Sequence, residues 1–164
     1  MVQSPDIEAT LARMQEELRP YLERKPLIIG IYTGGVWIAE RLHRALGLEE
    51  PLGTLDISFY RDDFTRLGMH PQVKTSDLPV NIEDRHIILV DDVLHTGRTM
   101  RAALNEIFDY GRPASVLLAA LIVRDGRELP IQADVTGQYL KLNKNQHVKL
   151  SGPDKLILNI QEAG

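Results

Sequence analysis

The sequence contains no cysteine. Disulfide frameworks and cysteine-ligated metal centres are thereby excluded, and a reducing, cytoplasmic setting is expected. No apolar stretch approaches the ~20 residues that span a bilayer, and the opening MVQSPDIEAT is acidic and polar where a signal peptide is basic and then apolar. A soluble, unexported protein with no membrane partner is expected. Positive charge is also in short supply: 19 Lys and Arg stand against 23 Asp and Glu, for a net charge of −4. Indiscriminate binding to nucleic acid draws its affinity from Lys and Arg on phosphates, so this balance argues against it. One local basic group remains, Lys141, Lys144, His147, Lys149 and Lys155. No Gly-Lys-Ser/Thr occurs, which excludes a Walker-type nucleotide loop. Aromatic residues are few, 5% of the chain, and Trp37, Tyr60, Phe64 and Phe108 are expected in core or loop packing. Of these, Tyr60 and Phe64 stand nearest to a region of ligand contact.

What is present describes an ordinary globular chain. With 164 residues, 43% hydrophobic and 26% charged, a single domain over 1–164 can bury roughly 70% of the surface its unfolded form exposes. Ser4-Pro5 with Asp6 and Glu8 reads as a helix start, and Ile7, Leu11, Met14, Leu18 and Leu22 recur at helical spacing. Leu27 to Tyr32 is a continuous apolar strand, joined by Thr33-Gly34-Gly35 to a helix over Val36 to Leu46. Leu55, Ile57 and Phe59 alternate with Asp56 and Ser58, predicting a strand with one polar face. From Arg61 to Pro79 charges, Gly68, Pro71 and Ser76 replace any periodicity, and the spacing predicts a long mobile loop. Loops of that length are usually functional or disordered. Ile87 to Val90 is a second buried strand. Met100, Ala103, Leu104, Ile107 and Phe108 mark the helix after it, stopped by Gly111 and Pro113. Val116 to Val123 is a third apolar strand, and short β-like pieces, Gln138 to Leu142 and Lys155 to Ile160, follow.

Strands that lose polar alternation are buried on both faces, so these units predict an α/β fold with a central parallel sheet flanked by helices. In such a sheet ligands bind beyond the carboxyl ends of the strands. There the chain reads ILVDDVLHTGRT, residues 88–99: an apolar run, two carboxylates, then glycine, hydroxyls and one arginine. Neighbours on a strand point to opposite faces, so Asp91 and Asp92 serve one ligand only if the chain is already leaving the strand. Thr96-Gly97-Arg98-Thr99 opens the next helix, whose first amides are unpaired and partly positive. Phosphate is the natural guest, held by amides that Gly97 lets approach closely and by the hydroxyls of Thr96 and Thr99. Carboxylates beside a phosphate cradle ask for a ligand bearing both hydroxyls and a phosphoryl group, as a ribose 5-phosphate does. A phosphoacceptor receiver domain also has an acidic pair after an apolar strand. Its pair lies near the N-terminus, and it needs a further Asp after a later buried strand, which Asp134 does not supply.

Residues 88–100, ILVDDVLHTGRTM, resemble the phosphoribosyl pyrophosphate (PRPP) signature of the type I phosphoribosyltransferases. GIYTGG (30–35), LDISFYRDD (55–63), ALNEIFDYGRPASV (103–116) and GRELPI (126–131) resemble the branch of that family whose members are pyrimidine attenuation regulators and uracil phosphoribosyltransferases. The resemblance implies a small hood from the C-terminal segment, about 124–164, and a closing loop at about 61–79. It implies Asp91 and Asp92 on the ribose hydroxyls, with Val93, Leu94, His95, Thr96, Gly97, Arg98 and Thr99 around the 5-phosphate. Thr33, Gly34 and Gly35 would form the pyrophosphate loop, Arg61 a contact to pyrophosphate, and Arg124 a neighbour of the base. The implied reaction joins uracil to PRPP, giving UMP and pyrophosphate, with Mg2+ bound through PRPP and no dedicated protein metal site. The implied partners include an mRNA leader and further copies of the chain, as a homodimer or larger homo-oligomer. Two alternatives stand beside this reading: a mainly RNA-binding attenuation regulator with weak catalysis, and a phosphoribosyltransferase for another base. The chain departs from the family in having Thr33-Gly34-Gly35 where Thr-Arg-Gly is frequent, and Arg124-Asp125-Gly126 where Asp-Arg-Gly is frequent. His95 is expected to be a solvent-facing loop residue without a catalytic role.

Overall fold

A computed structural model describes residues 6–57 and 76–162. Three α-helices and seven strands are found among them. They run as α1 (Ile7–Leu18), β1 (Leu27–Ile31), α2 (Gly34–Leu46), β2 (Gly53–Leu55), β3 (His86–Leu94), α3 (Arg98–Tyr110), β4 (Ser115–Arg124), β5 (Val135–Leu140), β6 (Gln146–Ser151) and β7 (Ile157–Glu162). Strands β1 to β5 form one parallel sheet in the order β2-β1-β3-β4-β5, and β6 and β7 pair separately as an antiparallel ribbon.

The helices obey their spacing and their caps. Asp6 caps α1, its carboxylate accepting from the Ala9 amide at 3.1 Å, so the cap lies just beyond the expected Ser4-Pro5 start, which is outside the described residues. The expected single helix through Leu22 ends at Leu18 and tightens into a 3-10 turn over Arg19–Arg24. Pro20 has no amide to give to the α-helical ladder, which accounts for the change. Gly47 closes α2 at φ 64°, the left-handed conformation that glycine adopts at no steric cost.

Two apolar layers cover the sheet. On one face Leu11, Met14 and Leu18 of α1 and Ile38, Ala39 and Leu42 of α2 pack with Ile88 and Val90; Leu150 and Leu158 of the ribbon join this layer. On the other face Met100, Ala103 and Ile107 of α3 pack with Ile87, Leu89 and Ile57. Gly137 of β5 lies so close to α1 that a Cβ there would meet Thr10 and the carbonyl oxygen of Leu121.

Two expectations change. Asp56 does not sit on a polar face, because Leu55, Asp56 and Ile57 are all buried. The Asp56 amide donates to Ser76 Oγ at 3.0 Å, and Ser76 Oγ in turn donates to Glu106, so side chains cover the face expected to meet water. The rest of that predicted strand, Ser58 and Phe59, lies outside the described residues. So do Tyr60 and most of the predicted 61–79 loop, including Arg61 and Phe64. Past Arg124, β5 joins the main sheet beside β4, extending it by a strand that its mixed sequence had shown only as a fragment.

Ile38 has no exposed surface. Ile38→Ala should cost about 2–5 kcal/mol by urea unfolding, while Phe108→Ala, at a side chain 56% exposed, should stay within about 0.5 kcal/mol.

Candidate functional site

Strand order fixes where a site can form. From β1 the chain moves by α2 to β2 on one side, and from β3 it moves by α3 to β4 on the other, so adjacent β1 and β3 bracket the point where the order reverses. A crevice opens at the carboxyl ends of such a strand pair. It is lined here by Thr33-Gly34-Gly35 after β1 and by the end of β3 with the turn into α3.

The two carboxylates reach this crevice by an unexpected route. The chain does not leave the strand at the acidic pair: β3 runs to Leu94 and stays in register with β4, Asp91 opposite Ala120 and Leu94 opposite Val123. Instead the side-chain alternation reverses. Ile88 and Val90 belong to the α1/α2 layer and Ile87 and Leu89 to the α3 layer, yet Val93 packs with the former and Leu94 with the latter. β4 reverses at the same level, since Leu121 and its neighbour Ile122 both face the α1/α2 layer. Two strands that rotate together keep their ladder, so the acidic pair can change its presentation inside a continuous sheet.

Gly34 and Gly35 then bring the start of α2 against both acids. A Cβ on Gly34 would strike Oδ2 of Asp92, and one on Gly35 would lie 2.8 Å from the Val90 carbonyl oxygen and 3.0 Å from Asp91 Oδ1. Only glycine permits this approach. The Tyr32–Thr33 peptide leading into the turn is cis. Asp91 is buried and accepts from the Asp92 amide at 2.8 Å, and Asp92 accepts from the Val93 amide at 2.9 Å. The pair is thus held at the N-terminus of α2, whose first-turn amides and dipole favour negative charge.

Gly97 caps α3 at φ 98°, where an L side chain is strained, and a Cβ would sit 3.3 Å from Leu129 and 3.4 Å from Ile131. Thr96 Oγ1 accepts from the Arg98 amide at 3.2 Å, and Thr99 stands in the first turn of α3. The carbonyl of Thr96 accepts from the amides of Glu128 and Leu129 at 3.0 and 3.1 Å, while Arg98 makes an exposed ion pair with Glu128 at 3.1 Å. The turn into α3 is therefore strapped to the 126–131 segment.

Beyond this strap opens a cavity of about 470 Å³ lined in part by His95, Arg124, Asp125, Ile131, Tyr139 and Lys141. His95 is exposed, as expected, but it lines this cavity rather than facing open solvent, and its Nε2 edge is covered by Gly126. Burial of that edge, then repulsion from the Arg124 cation, holds its pKa below the usual histidine value, so the ring is neutral at pH 7. Arg124 is only 7% exposed. Its guanidinium donates to the carbonyls of Gln146 and Asn143 at 2.7 and 3.2 Å, tying the β5–β6 turn to the end of β4. Beside it Asp125 accepts from the Leu142 amide at 2.9 Å.

The structure therefore brings Gly34 and Gly35, next to Thr33, against Asp91 and Asp92 at the carboxyl ends of β1 and β3, ties Thr96 and Gly97 to the 126–131 segment, leaves Val93 packed in the core, and places Leu94, His95 and the strut Arg124 on the neighbouring cavity. Arg61 lies outside the described residues. Sequence reasoning missed Asp125, Tyr139 and Lys141 as cavity residues; no periodicity marks them, and only the pairing of Val123 with Tyr139 and of Arg124 with Leu140 brings them there. Among the described residues no cluster of three or more His, Asp or Glu would hold an ion by itself, and no helix is long and apolar enough to cross a membrane.

The phosphoribosyl transferase domain model matches residues 2–152. A "Bifunctional protein PyrR" of Nitrosococcus oceani is 66% identical over 151 residues, covering 91% of this chain and 83% of the relative. A protein of the same name from Pseudomonas aeruginosa is 56% identical over 158 residues, covering 94% and 93%. Among solved structures, a purine phosphoribosyltransferase from Pyrococcus horikoshii superimposes with a TM-score of 0.60 at 24% identity over 82% of each chain. A Trypanosoma cruzi hypoxanthine phosphoribosyl transferase gives 0.65 at 22% identity, covering 85% of this chain and 76% of that one. These last two likenesses concern the fold.

The hydrogen bond from the Leu142 amide holds the Asp125 carboxyl below the usual carboxylate range. A depressed folded-state pKa contributes stability that is complete above the unfolded value and fades as pH falls through the folded one. Thermal melts of wild type and Asp125→Ala should therefore be furthest apart at pH 7 and converge as pH drops below about 4.

Proposed function

This chain belongs to the phosphoribosyl transferase domain family, and from that premise we propose that it moves the 5-phosphoribosyl group of PRPP onto uracil, giving UMP and pyrophosphate. We further infer that it regulates pyrimidine gene expression in response to UMP, by binding an mRNA leader. The observation that carries the first reading is the convergence of two carboxylates, a glycine turn and a glycine-capped helix start on one crevice at the switch point of the sheet.

In this reading Asp91 and Asp92 accept from the vicinal hydroxyls of the ribose, and the amides from Val93 to Thr99 with the Thr96 and Thr99 hydroxyls hold the 5-phosphate. The turn at Thr33-Gly34-Gly35 offers backbone amides to the diphosphate. Uracil occupies the cavity beside His95 and Arg124. Its N1 forms a bond to C1 of the ribose as the C1–O bond to pyrophosphate breaks, the electron pair leaving with pyrophosphate and the N1 proton being lost. Positive charge develops on the ribose ring, and the fixed carboxylates of Asp91 and Asp92 favour it electrostatically. A magnesium ion arriving with PRPP would be held through the substrate's own oxygens, with no dedicated protein ligand set and with Asp91 and Asp92 as its acidic neighbours. When bound, that ion supplies charge neutralisation to the departing diphosphate. Arg61, outside the described residues, is the candidate cationic contact to pyrophosphate. The protein works in the cytoplasm as a homodimer or larger homo-oligomer.

A steady-state assay with PRPP, magnesium and a panel of bases tests reaction and acceptor together, uracil being the expected substrate. Asp92→Asn should lower kcat on the order of 10²-fold or more without changing the melting temperature; wild-type turnover would remove Asp92 from the mechanism. Calorimetry of Gly97→Val should show no PRPP binding, because the branched side chain meets both a left-handed backbone and Leu129 and Ile131. Unchanged affinity would refute the phosphate assignment.

A further inference from the structure

A second cavity lies at the opposite end of the sheet, where the parallel strands begin. It encloses about 190 Å³ between the 3-10 turn over Arg19–Arg24 and the first residues of β3 and β4. His86 and Ser115 open those strands as ladder partners, and His86 Nδ1 lies 2.6 Å from Ser115 Oγ. Two residues further along each strand, on the same side of the sheet, stand the buried Ile88 and Leu117 of the α1/α2 layer. The cavity therefore has an apolar floor and a polar rim.

Two charges of opposite sign complete the rim. Arg24 ends the 3-10 turn with its guanidinium over the Tyr21 ring, 5.5 Å from the centroid. Asp134 is fixed just ahead of β5: its amide donates to the Leu118 carbonyl at 2.8 Å, and its Oδ2 accepts from the Leu118 amide at 2.9 Å. Both residues line the cavity, yet they form no ion pair with each other, and among the described residues neither has another partner of opposite charge. An anion alone would meet Asp134, and a cation alone would meet Arg24. A ligand that carries both charges satisfies each of them.

We propose that this cavity binds a free α-amino acid with a small aliphatic side chain, its carboxylate on Arg24, its ammonium on Asp134 and its side chain against Ile88 and Leu117. The planar fork of Arg24 matches two carboxylate oxygens, and Asp134 Oδ1 is left to accept from an ammonium. Size supports the same class. A cavity of about 150 Å³ accommodates a six-membered hydrocarbon ring, so this one suits a ligand of about eight heavy atoms, as in valine. Drug-sized ligands need about 300 Å³ or more. The place of the cavity at the amino ends of β3 and β4 separates it from the crevice at their carboxyl ends, so the two can be filled together.

The test is isothermal calorimetry of the full-length protein with L-valine, alongside isovalerate, which lacks the ammonium, and isobutylamine, which lacks the carboxylate. L-Valine should bind with a Kd at or below about 1 mM, the range open to a ligand of so few atoms. Each truncated analogue should bind about tenfold or more weakly. Arg24→Gln and Asp134→Asn should each weaken valine binding by about tenfold or more. The asparagine carbonyl keeps the bond from the Leu118 amide, so both variants should melt as wild type does. Arg127→Gln, at an exposed charge on the other cavity, should leave valine affinity at the wild-type value, and saturating PRPP should leave it unchanged. Neither heat nor a rise in melting temperature with valine up to about 10 mM would overturn the proposal. So would isovalerate binding as tightly as valine, which makes the cavity a simple carboxylate site, or wild-type affinity in either the Arg24 or the Asp134 variant. An apparent Kd that rises in proportion to PRPP would put the amino acid in the transferase crevice and overturn it as well.

Discussion

The approach of the α2 N-terminus to the backbone of β3 sets the geometry of everything around it. Two successive glycines, Gly34 and Gly35, let a helix begin against a strand at distances that a single methyl group would forbid. That contact places amides and a helix dipole beside two carboxylates at the centre of the sheet. It also lays the turn after β1 onto the end of the paired strand β3 at the switch point. The acids are stabilised by backbone amides of their own strand, so their charge is compensated before any ligand arrives.

The second constraint lies across the crevice. The turn into α3 is joined to the 126–131 segment through the Thr96 carbonyl, and the end of β4 is joined to the β5–β6 turn through Arg124 and Asp125. Arg124 is a buried cation serving backbone carbonyls, with its Nε left without a hydrogen-bond partner. Such a group is costly unless its surroundings are rigid. Its two carbonyl bonds account for the order of the turn, and its charge reaches His95. The turn into α3, the 126–131 segment and the end of β4 are therefore parts of one connected scaffold.

Much of this was legible in the residues. Continuous apolar runs at 27–32, 87–90 and 116–123 announced buried parallel strands, and the spacing of Ile38 and Leu42 announced the helix that covers them. The site was legible where special backbone chemistry left special residues, as at Gly34, Gly35 and Gly97. What escaped was non-local. Asp125 looks like any loop acid until Leu142 is brought to it, and Tyr139, 72% exposed, carries no periodic mark. The burial of Asp56 depended on Ser76 and Glu106, which lie far from it in sequence. The reversal of alternation at the acidic pair was misread as an exit from the strand, because period-two patterning has no means of showing two strands that turn over together.

That joint reversal carries a consequence for how the molecule can vary. Val93 in β3 and Ile122 in β4 are matched across the ladder, with Asp92 and Leu121 just before them. A homologous segment with regular alternation, grafted into one strand alone, would leave its last row of side chains aimed at the opposite layer. The two strands behave as a single cassette: recombination or design that respects it must carry both halves together, and lineages drifting at this level must change them in pairs.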